Sequence, residues 1–222
     1  MSKPSLKLLA ASVLCLALAA CQTTAPKLKL IPDKPVEPER VLTPEQRKKA
    51  EEQARIDRDL NEKALITAKV GDADKSIELF EQLIKQNPKY PYAFTNLALQ
   101  LLKKDNIIGA RALFGKAIEQ DNRDAIAYNH LALLQRREGL FEQAHENYLK
   151  AIEADEQYAN AHLNLGILLD IYLQDLPKAL QHYETYQSLI NDKDDEATKE
   201  TNVMVEKWIV DIKRRVDSSG SK

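Results

Sequence analysis

The chain has 222 residues with 32 basic and 34 acidic side chains, which leaves a formal net charge of -2. This near balance gives no basis for a general affinity for nucleic acid, which requires a basic surface. Its six glycines form no phosphate-cradling loop and no nucleophile elbow, so the sequence predicts no enzymatic activity, no cofactor and no small-molecule substrate.

Residues 1–20 have the pattern of a secretory signal peptide. Lys3 and Lys7 precede an almost wholly apolar run from 8 to 20, which is shorter than the roughly 20 residues that span a bilayer as a helix. Two alanines at the end of this run lead directly into Cys21, a pattern that resembles the lipobox of bacterial lipoproteins. The resemblance implies removal of residues 1–20 and lipidation of Cys21. The alternative is an ordinary signal peptide with a chance cysteine.

Gln22 follows the cysteine, whereas an aspartate at that place resembles the inner-membrane retention signal of enteric bacteria. The resemblance therefore implies the periplasmic face of the outer membrane, with the protein held there by the lipid on Cys21. Residues 21–42 are rich in proline and charge without helical periodicity, so we expect a semi-extended tether. Such a tether would suit contact with another component of the envelope.

A long helix is predicted to begin at Pro44. Thr43 is a suitable cap, Pro44 occupies the first helical position, and Gln46 stands where a capping box needs it. No residue breaks the helix before Gly71, so we expect it to extend to about residue 70. Its highly charged first half is interpreted as a solvent-exposed leading helix stabilised by opposite-charge pairs.

From residue 57 to residue 193 one pattern returns every 34 residues, in units 57–90, 91–124, 125–158 and 159–193. We expect the one extra residue of the last unit to lengthen its turn at residues 173–177, with Asp175 as the cap of the following helix. Each unit has small residues at its eighth and twentieth positions and an aromatic residue at its twenty-fourth. These residues are Ala64, Ala98, Ala132 and Gly166, then Ser76, Ala110, Ala144 and Ala179, then Phe80, Phe114, Tyr148 and Tyr183. A small residue lets two helices approach closely, and a ring fills the space beside it.

Each unit also divides into two helical halves around a turn, such as Gly71-Asp72 in the first and Gly139-Leu140 in the third. The unit is therefore a helical hairpin. Period, small positions and aromatic position together resemble the tetratricopeptide repeat. The resemblance implies an all-α, right-handed solenoid of about four hairpins over residues 43–193, whose function is protein-protein interaction.

A capping helix is predicted over residues 194–217, because the last hairpin of a solenoid exposes an apolar face that needs a cover. Its apolar residues at helical spacing are Val205, Trp208, Ile209, Ile212 and Val216. We interpret Trp208 as a core residue, with a role as a partner anchor as the alternative. The tail, residues 218–222, is expected to be disordered.

The four histidines do not suggest a metal site. They are His130, His145, His162 and His182. They fall at four different repeat positions, so we expect them to point in different directions and to serve as packing or surface residues.

In the tetratricopeptide-repeat family the first helices of the hairpins line a concave groove. The resemblance assigns to this groove a polar row of Asn96, His130 and Asn164, an apolar row of Leu99, Leu133 and Ile167, and two basic residues, Lys103 and Arg137. The polar row would bond the backbone of an extended partner segment, the apolar row would bury its side chains, and the basic residues would attract acidic ones. Alternatively, the asparagines only solvate the groove or tie helices together.

Some repeats of this family clamp a terminal carboxylate with a lysine at the fifth position. That position here holds Asn61, Thr95, Asn129 and Leu163. A carboxylate clamp is therefore not implied.

These resemblances together imply an outer-membrane lipoprotein that acts as a scaffold or assembly factor for envelope proteins. An alternative is a pilotin, because lipobox and repeats are similar to those of the lipoproteins that bring the secretin ring of type IV pili into place. Those proteins typically carry more repeats than the four found here. A third possibility is an accessory subunit of an energised envelope complex.

Overall fold

The chain is described by a computed structural model over residues 42–190 and 195–219, and these residues are helical apart from short turns. The helices are α1 (Pro44–Lys69), α2 (Ala73–Gln86), α3 (Ala93–Lys103), α4 (Ile107–Gln120), α5 (Ala125–Arg137), α6 (Phe141–Ala154), α7 (Ala159–Ile167), α8 (Leu176–Ile190) and α9 (Glu196–Ser219). The predicted all-α class with four hairpins, a leading helix and a capping helix is confirmed. The predicted signal peptide, Cys21 and nearly all of the tether lie outside the described residues.

Helix α1 begins where the sequence predicts. The Thr43 side chain accepts a hydrogen bond from the Gln46 amide at 3.2 Å, and the Gln46 side chain accepts one from the Thr43 amide at 3.0 Å. This is a complete capping box, which satisfies two amide groups that the helix itself cannot pair. None of the described helices is long and apolar enough to cross a membrane.

The repeated small and aromatic positions form the contact between the two helices of each hairpin. Alanines at the eighth position, such as Ala64 and Ala98, have no exposed surface, and the ring of Phe80 is likewise fully buried. The closest approach is in the fourth unit, where a Cβ added to Gly166 would lie 2.7 Å from a ring carbon of Tyr183. The repeated small and aromatic positions therefore mark where the two helices of each hairpin approach each other.

The turns inside the hairpins share one backbone conformation. Gly71 and Gly139 have φ angles of 90° and 79°, and Asp105 and Gln174 stand at the equivalent place with φ angles of 57° and 58°. A left-handed conformation costs a residue with a side chain roughly 1–2 kcal/mol more than it costs glycine. The second and fourth turns thus carry strain that the first and third avoid.

The extra residue of the fourth unit is accommodated differently from our expectation. We expected it to lengthen the turn at residues 173–177, but it widens the end of α7 into a π-helical turn over Leu168–Tyr172. There the Leu173 amide donates to the Leu168 carbonyl at 3.1 Å, a five-residue step that absorbs one residue without changing the turn. Asp175 caps α8 as predicted, through a 3.3 Å bond from the Lys178 amide.

Helix α9 covers the apolar face of the fourth hairpin. Its Val205 and Ile212 are fully buried, and the ring centroid of Trp208 lies 5.5 Å from that of Tyr183. An ion pair of 2.9 Å between Arg215 and Asp170 adds a polar contact to the π-helical turn. The capping role agrees with the sequence analysis, and Trp208 is partly buried and packs against the core of the fourth unit.

The boundaries of this helix differ slightly from those predicted. It begins at Glu196 and extends to Ser219, so residues 218 and 219 belong to the helix and not to a disordered tail. The Ser218 hydroxyl donates to the Arg215 carbonyl at 2.9 Å, within the last turn of this helix.

Two glycine substitutions test the packing between helices. Gly166→Ala should lower the free energy of unfolding by about 1–3 kcal/mol, because the new methyl group would collide with the Tyr183 ring. Gly115→Ala is the matched control, since Gly115 lies in α4 with no atom near the position of an added Cβ. It should raise stability by roughly 0.5–1 kcal/mol through helix propensity. Urea unfolding measures both, and equal effects would contradict the close approach at Gly166.

Candidate partner-binding groove

The first helices of three consecutive units share one open cavity of about 510 Å³. Leu65 comes from α1, Asn96 from α3 and Ile126 from α5, so all three first helices contribute to the same surface. Its remaining lining residues are Tyr92, Arg123, Ala125, Ala154 and Asp155. We call this surface the groove cavity.

Asn96 lies on α3 at the wall of the groove cavity, and its contact with a partner stays a prediction. Its side chain is half-buried and lines the groove cavity. The side-chain amide of Asn96 has no hydrogen-bond partner within the described part of the chain. Its N–H and C=O groups are therefore both available to a bound segment. Beside Asn96, Leu65 keeps 43% of its surface exposed. Leu65 stands at the ninth position of the first unit, the position of the apolar row in the other three units.

Tyr92 was not identified as a site residue from the sequence. It lies immediately before α3 with a φ angle of 58°, in the left-handed region, and half of its surface is exposed. It lines both the groove cavity and a second cavity of about 260 Å³ beside Phe94 and Asp124. Strained residues of this kind are enriched at binding sites. Tyr92 stands at the second position of its repeat. That position faces the groove in tetratricopeptide repeats, and it was the signal in the sequence that could have identified Tyr92.

Asn164 has a structural contact that Asn96 lacks. Its side-chain amide donates to the Asn129 side-chain oxygen at 3.0 Å, and the Asn129 amide donates in turn to the Tyr158 hydroxyl at 3.4 Å. Asn129 is only 2% exposed, so this chain of hydrogen bonds joins α7 to α5 in a buried place. This contact fits the alternative considered from the sequence, an asparagine that ties helices together, and contact of Asn164 with a partner stays a prediction.

His130 packs against the preceding unit. Its ring stacks on Phe114, with centroids 5.4 Å apart and planes within 9°. Its Nδ1 atom is buried without a hydrogen-bond partner among the described residues. Burial lowers the pKa of His130, and the charge of Asp124 opposes that shift only in part. These contacts give His130 a packing role, and its contact with a partner backbone stays a prediction.

The predicted apolar row is partly buried. Leu99 packs against the core formed by α3, α4 and α5, and Ile167 packs against the core of the fourth unit. Leu133 is half-buried as well. Each keeps some exposed surface, so their role as an apolar floor stays a prediction.

The two predicted basic residues lie at helix ends. The Lys103 ammonium donates to the Ala68 carbonyl at 3.3 Å, which places its charge at the carboxyl end of α1, where cations are favoured. Arg137 is exposed at the end of α5. Attraction of acidic partner residues by either side chain remains a prediction.

The expectation for the histidines is wrong for two of the four. The Nδ1 atoms of His162 and His182 lie 3.1 Å apart, so these rings meet and do not point in different directions. Repeat positions give directions on one helix, whereas packing of the hairpin brings two helices face to face. No group of three or more metal-ligating side chains is formed within residues 42–190 and 195–219.

Comparison with known proteins identifies the architecture. The sequence model of the tetratricopeptide repeat matches residues 62–125 and 129–196. No curated protein sequence matches the chain.

Several solved structures are similar in fold. PilF from Pseudomonas aeruginosa has a TM-score of 0.58 at 16% identity, over 72% of this chain and 76% of that one. MamA from Desulfovibrio magneticus RS-1 has a TM-score of 0.51 at 22% identity, over 63% and 78%. An O-GlcNAc transferase mutant from Thermobaculum terrenum has a TM-score of 0.55 at 20% identity, over 61% of this chain but only 26% of that one.

Two asparagine substitutions separate structural from exposed positions. Asn164→Ala should lower the free energy of unfolding by about 1–3 kcal/mol, because it leaves the buried Asn129 oxygen without its donor. Asn96→Ala should change stability by no more than about 0.5 kcal/mol, since its amide pairs with no described residue. Chemical denaturation measures both changes. A large loss for Asn96→Ala, or none for Asn164→Ala, would reverse these assignments.

Proposed function

The chain belongs to the tetratricopeptide-repeat family, and from that premise we propose that it is a non-enzymatic adaptor that holds an extended segment of an envelope protein in its groove. Proteins built from these repeats serve protein-protein interaction. The observation that carries the proposal is the groove cavity, because side chains from three consecutive first helices converge on it. A surface built by α1, α3 and α5 together suits a segment that crosses several helices.

The chemistry of the groove cavity favours an extended segment. Such a segment presents free backbone N–H and C=O groups, and the Asn96 amide can bond one of each. Leu65 and Ile126 lie on either side of Asn96 along the series of first helices and offer apolar surface for partner side chains. Tyr92 adds a half-exposed ring, a residue type that contributes strongly to binding surfaces.

The proposal places the adaptor at the outer membrane, on its periplasmic face. Its support is the sequence alone: a short apolar run ends in two alanines and Cys21, as in bacterial lipoproteins. A cysteine with several acyl chains would hold the protein at a membrane stably, where a single chain would not. The proline-rich residues 22–41 would then set the distance between the membrane and the groove.

A pilotin for secretin assembly is the second candidate. Its support is the combination of lipobox and repeats, together with the fold shared with PilF. The four hairpins described here are fewer than such lipoproteins typically carry, so we favour the general adaptor. Loss of secretin multimers in a deletion strain would favour the pilotin, and normal multimers would exclude it. The third possibility, an accessory subunit of an energised envelope complex, uses the same groove.

The groove variants should lose partner affinity while keeping their fold. Exchanging Leu65 and Asn96 together for alanine should weaken binding roughly tenfold or more, because a buried contact and a hydrogen-bond partner are both removed. The matched control exchanges Ile108 and Glu119 on α4 for alanine, and both of these side chains are exposed. The partner is first captured with a photo-crosslinking residue at position 65, and its affinity for each purified variant is then measured.

Two results would contradict the groove as the binding surface. One is equal affinity of the groove variant and the control variant at unchanged helicity. The other is crosslinking of the same partner from position 108 as efficiently as from position 65, since Ile108 lies on a second helix.

Lipidation of Cys21 has its own test. Wild-type protein should take up a radiolabelled fatty acid and sediment with membranes, whereas Cys21→Ala should do neither, because Cys21 is the cysteine that ends the lipobox and would carry the thioether-linked lipid. Fatty-acid labelling and membrane fractionation of both forms give the answer. Wild-type protein without label would refute lipidation and leave an ordinary signal peptide.

A further inference from the structure

Three imidazoles gather where α6, α7 and α8 meet. His162 on α7 is only 7% exposed, and its Nε2 atom lies 3.2 Å from the Glu156 carbonyl oxygen. Its Nδ1 atom lies 3.1 Å from Nδ1 of His182 on α8. His145 on α6 is close enough for its charge to act on His182. The described contacts of the groove cavity do not involve this cluster.

The hydrogen-bond partners fix the protons of the neutral pair. A carbonyl oxygen only accepts, so Nε2 of His162 carries a proton and its Nδ1 is left as an acceptor. Nδ1 of His182 therefore donates to it. One added proton can bind to Nε2 of His182 without breaking this bond. A second would put a proton on Nδ1 of His162, so that two N–H donors and two positive charges would face each other.

The surroundings oppose protonation of the pair. Burial lowers the pKa of His162. Burial, followed by the charges of His162 and His145, lowers the pKa of His182 to about 4. The Asp175 carboxylate, which is close enough to His145 to respond to its charge, is already bonded to the Lys178 ammonium at 2.8 Å.

The charged side chains of α9 do not compensate a positive charge on the His162–His182 pair either. Lys213 of α9 contacts α8, but its ammonium lies 2.8 Å from a Glu184 carboxylate oxygen, so this pair is neutral as a whole. Burial is the main cause of both lowered pKa values. The positive charge that an added proton brings would therefore be largely uncompensated.

We propose that the His162–His182 pair is a pH-sensitive latch between α7 and α8, closed while the imidazoles are neutral and opened when both are protonated. In the closed state one N–H···N bond joins the two helices of the fourth hairpin. In the open state the two cations repel each other and the buried His162 ring requires hydration. The fourth hairpin then loses the His162–His182 bond between its two helices, a contact that is absent from the other described hairpins.

The direction of the pH effect follows from linkage. Because the pKa of His182 is lower in the folded chain than in the unfolded one, the unfolded state binds more protons at acidic pH. The stability of the fourth hairpin is therefore complete above about pH 6.5 and falls as the pH drops toward about 4. Asn164 and Ile167 lie on the same helix as His162, so acid would also disturb that end of the groove. This last consequence rests on the proposed function, whereas the latch does not.

Amide hydrogen exchange of the full chain tests the latch without any partner. Between about pH 7 and about pH 5, the opening equilibrium of α7 and α8, corrected for intrinsic exchange rates, should rise by at least roughly tenfold to twentyfold in the wild type, the rise that the lowered pKa of His182 supplies by itself. His182→Asn should abolish most of this rise, because an asparagine amide can donate in place of Nδ1 but cannot be protonated. A chelator is present throughout, so that bound metal makes no contribution.

Gln181→Asn is the matched control, an exposed neighbour on α8 that does not titrate, and it should keep the wild-type response. An equal rise in His182→Asn and wild type, or no rise in the wild type, would overturn the latch. If His182→Asn does not fold, the ring resonances of wild-type histidines decide. His162 and His182 should then titrate well below the ordinary value of about 6.5, and titration of both near that value would refute the proposal.

Discussion

The packing of one aromatic ring over one small residue is the interaction on which this structure depends. Phe80, Phe114, Tyr148 and Tyr183 are all buried between the helices of their own hairpins. Burial is strong enough to raise the pKa of Tyr148 to about 12. The same contact closes the array, since Tyr183 meets both Gly166 below it and Trp208 of the capping helix. Because this contact uses one face of each first helix, the opposite faces are left to form a common groove.

Buried polar contacts then decide which groove residues stay available. Thr95 donates to the buried Asp124 carboxylate, and Asn164 donates to the buried Asn129. The first bond joins α3 to the cap of α5 and the second joins α7 to α5, and an unpaired partner in such a place costs about 1–3 kcal/mol. The Asn96 side chain makes no such bond among the described residues, so it stays available to a partner. The π-helical turn and the histidine pair lie in the fourth unit, which contributes no residue to the groove cavity.

Much of the fold follows from the sequence, because the 34-residue period and the small and aromatic positions are themselves the packing contacts. The capping box at Thr43 and the cap at Asp175 were also predicted, since both depend on local residue types. The π-helical turn was not, because one extra residue can be absorbed either in a turn or inside a helix with the same composition. Whether a helix or a turn absorbs it depends on tertiary packing.

The candidate site was less predictable than the fold. Repeat position assigned both Asn96 and Asn164 to the groove, yet it could not show that Asn164 is bonded to Asn129, since this contact joins residues on two different units. It also could not show that His162 meets His182, because that depends on how two helices rotate against each other. Tyr92 was missed because its left-handed backbone is not encoded by residue type.

The most direct test of the account is a comparison of amide hydrogen exchange in the full chain with and without its captured partner. The account predicts slower exchange at the second half of α1, along α3 and in the first turn of α5, where the groove cavity lies. It predicts no change in α2 and α4, which contribute no residue to that cavity. Slower exchange confined to those second helices, or to the charged first half of α1, would contradict the groove as the binding surface.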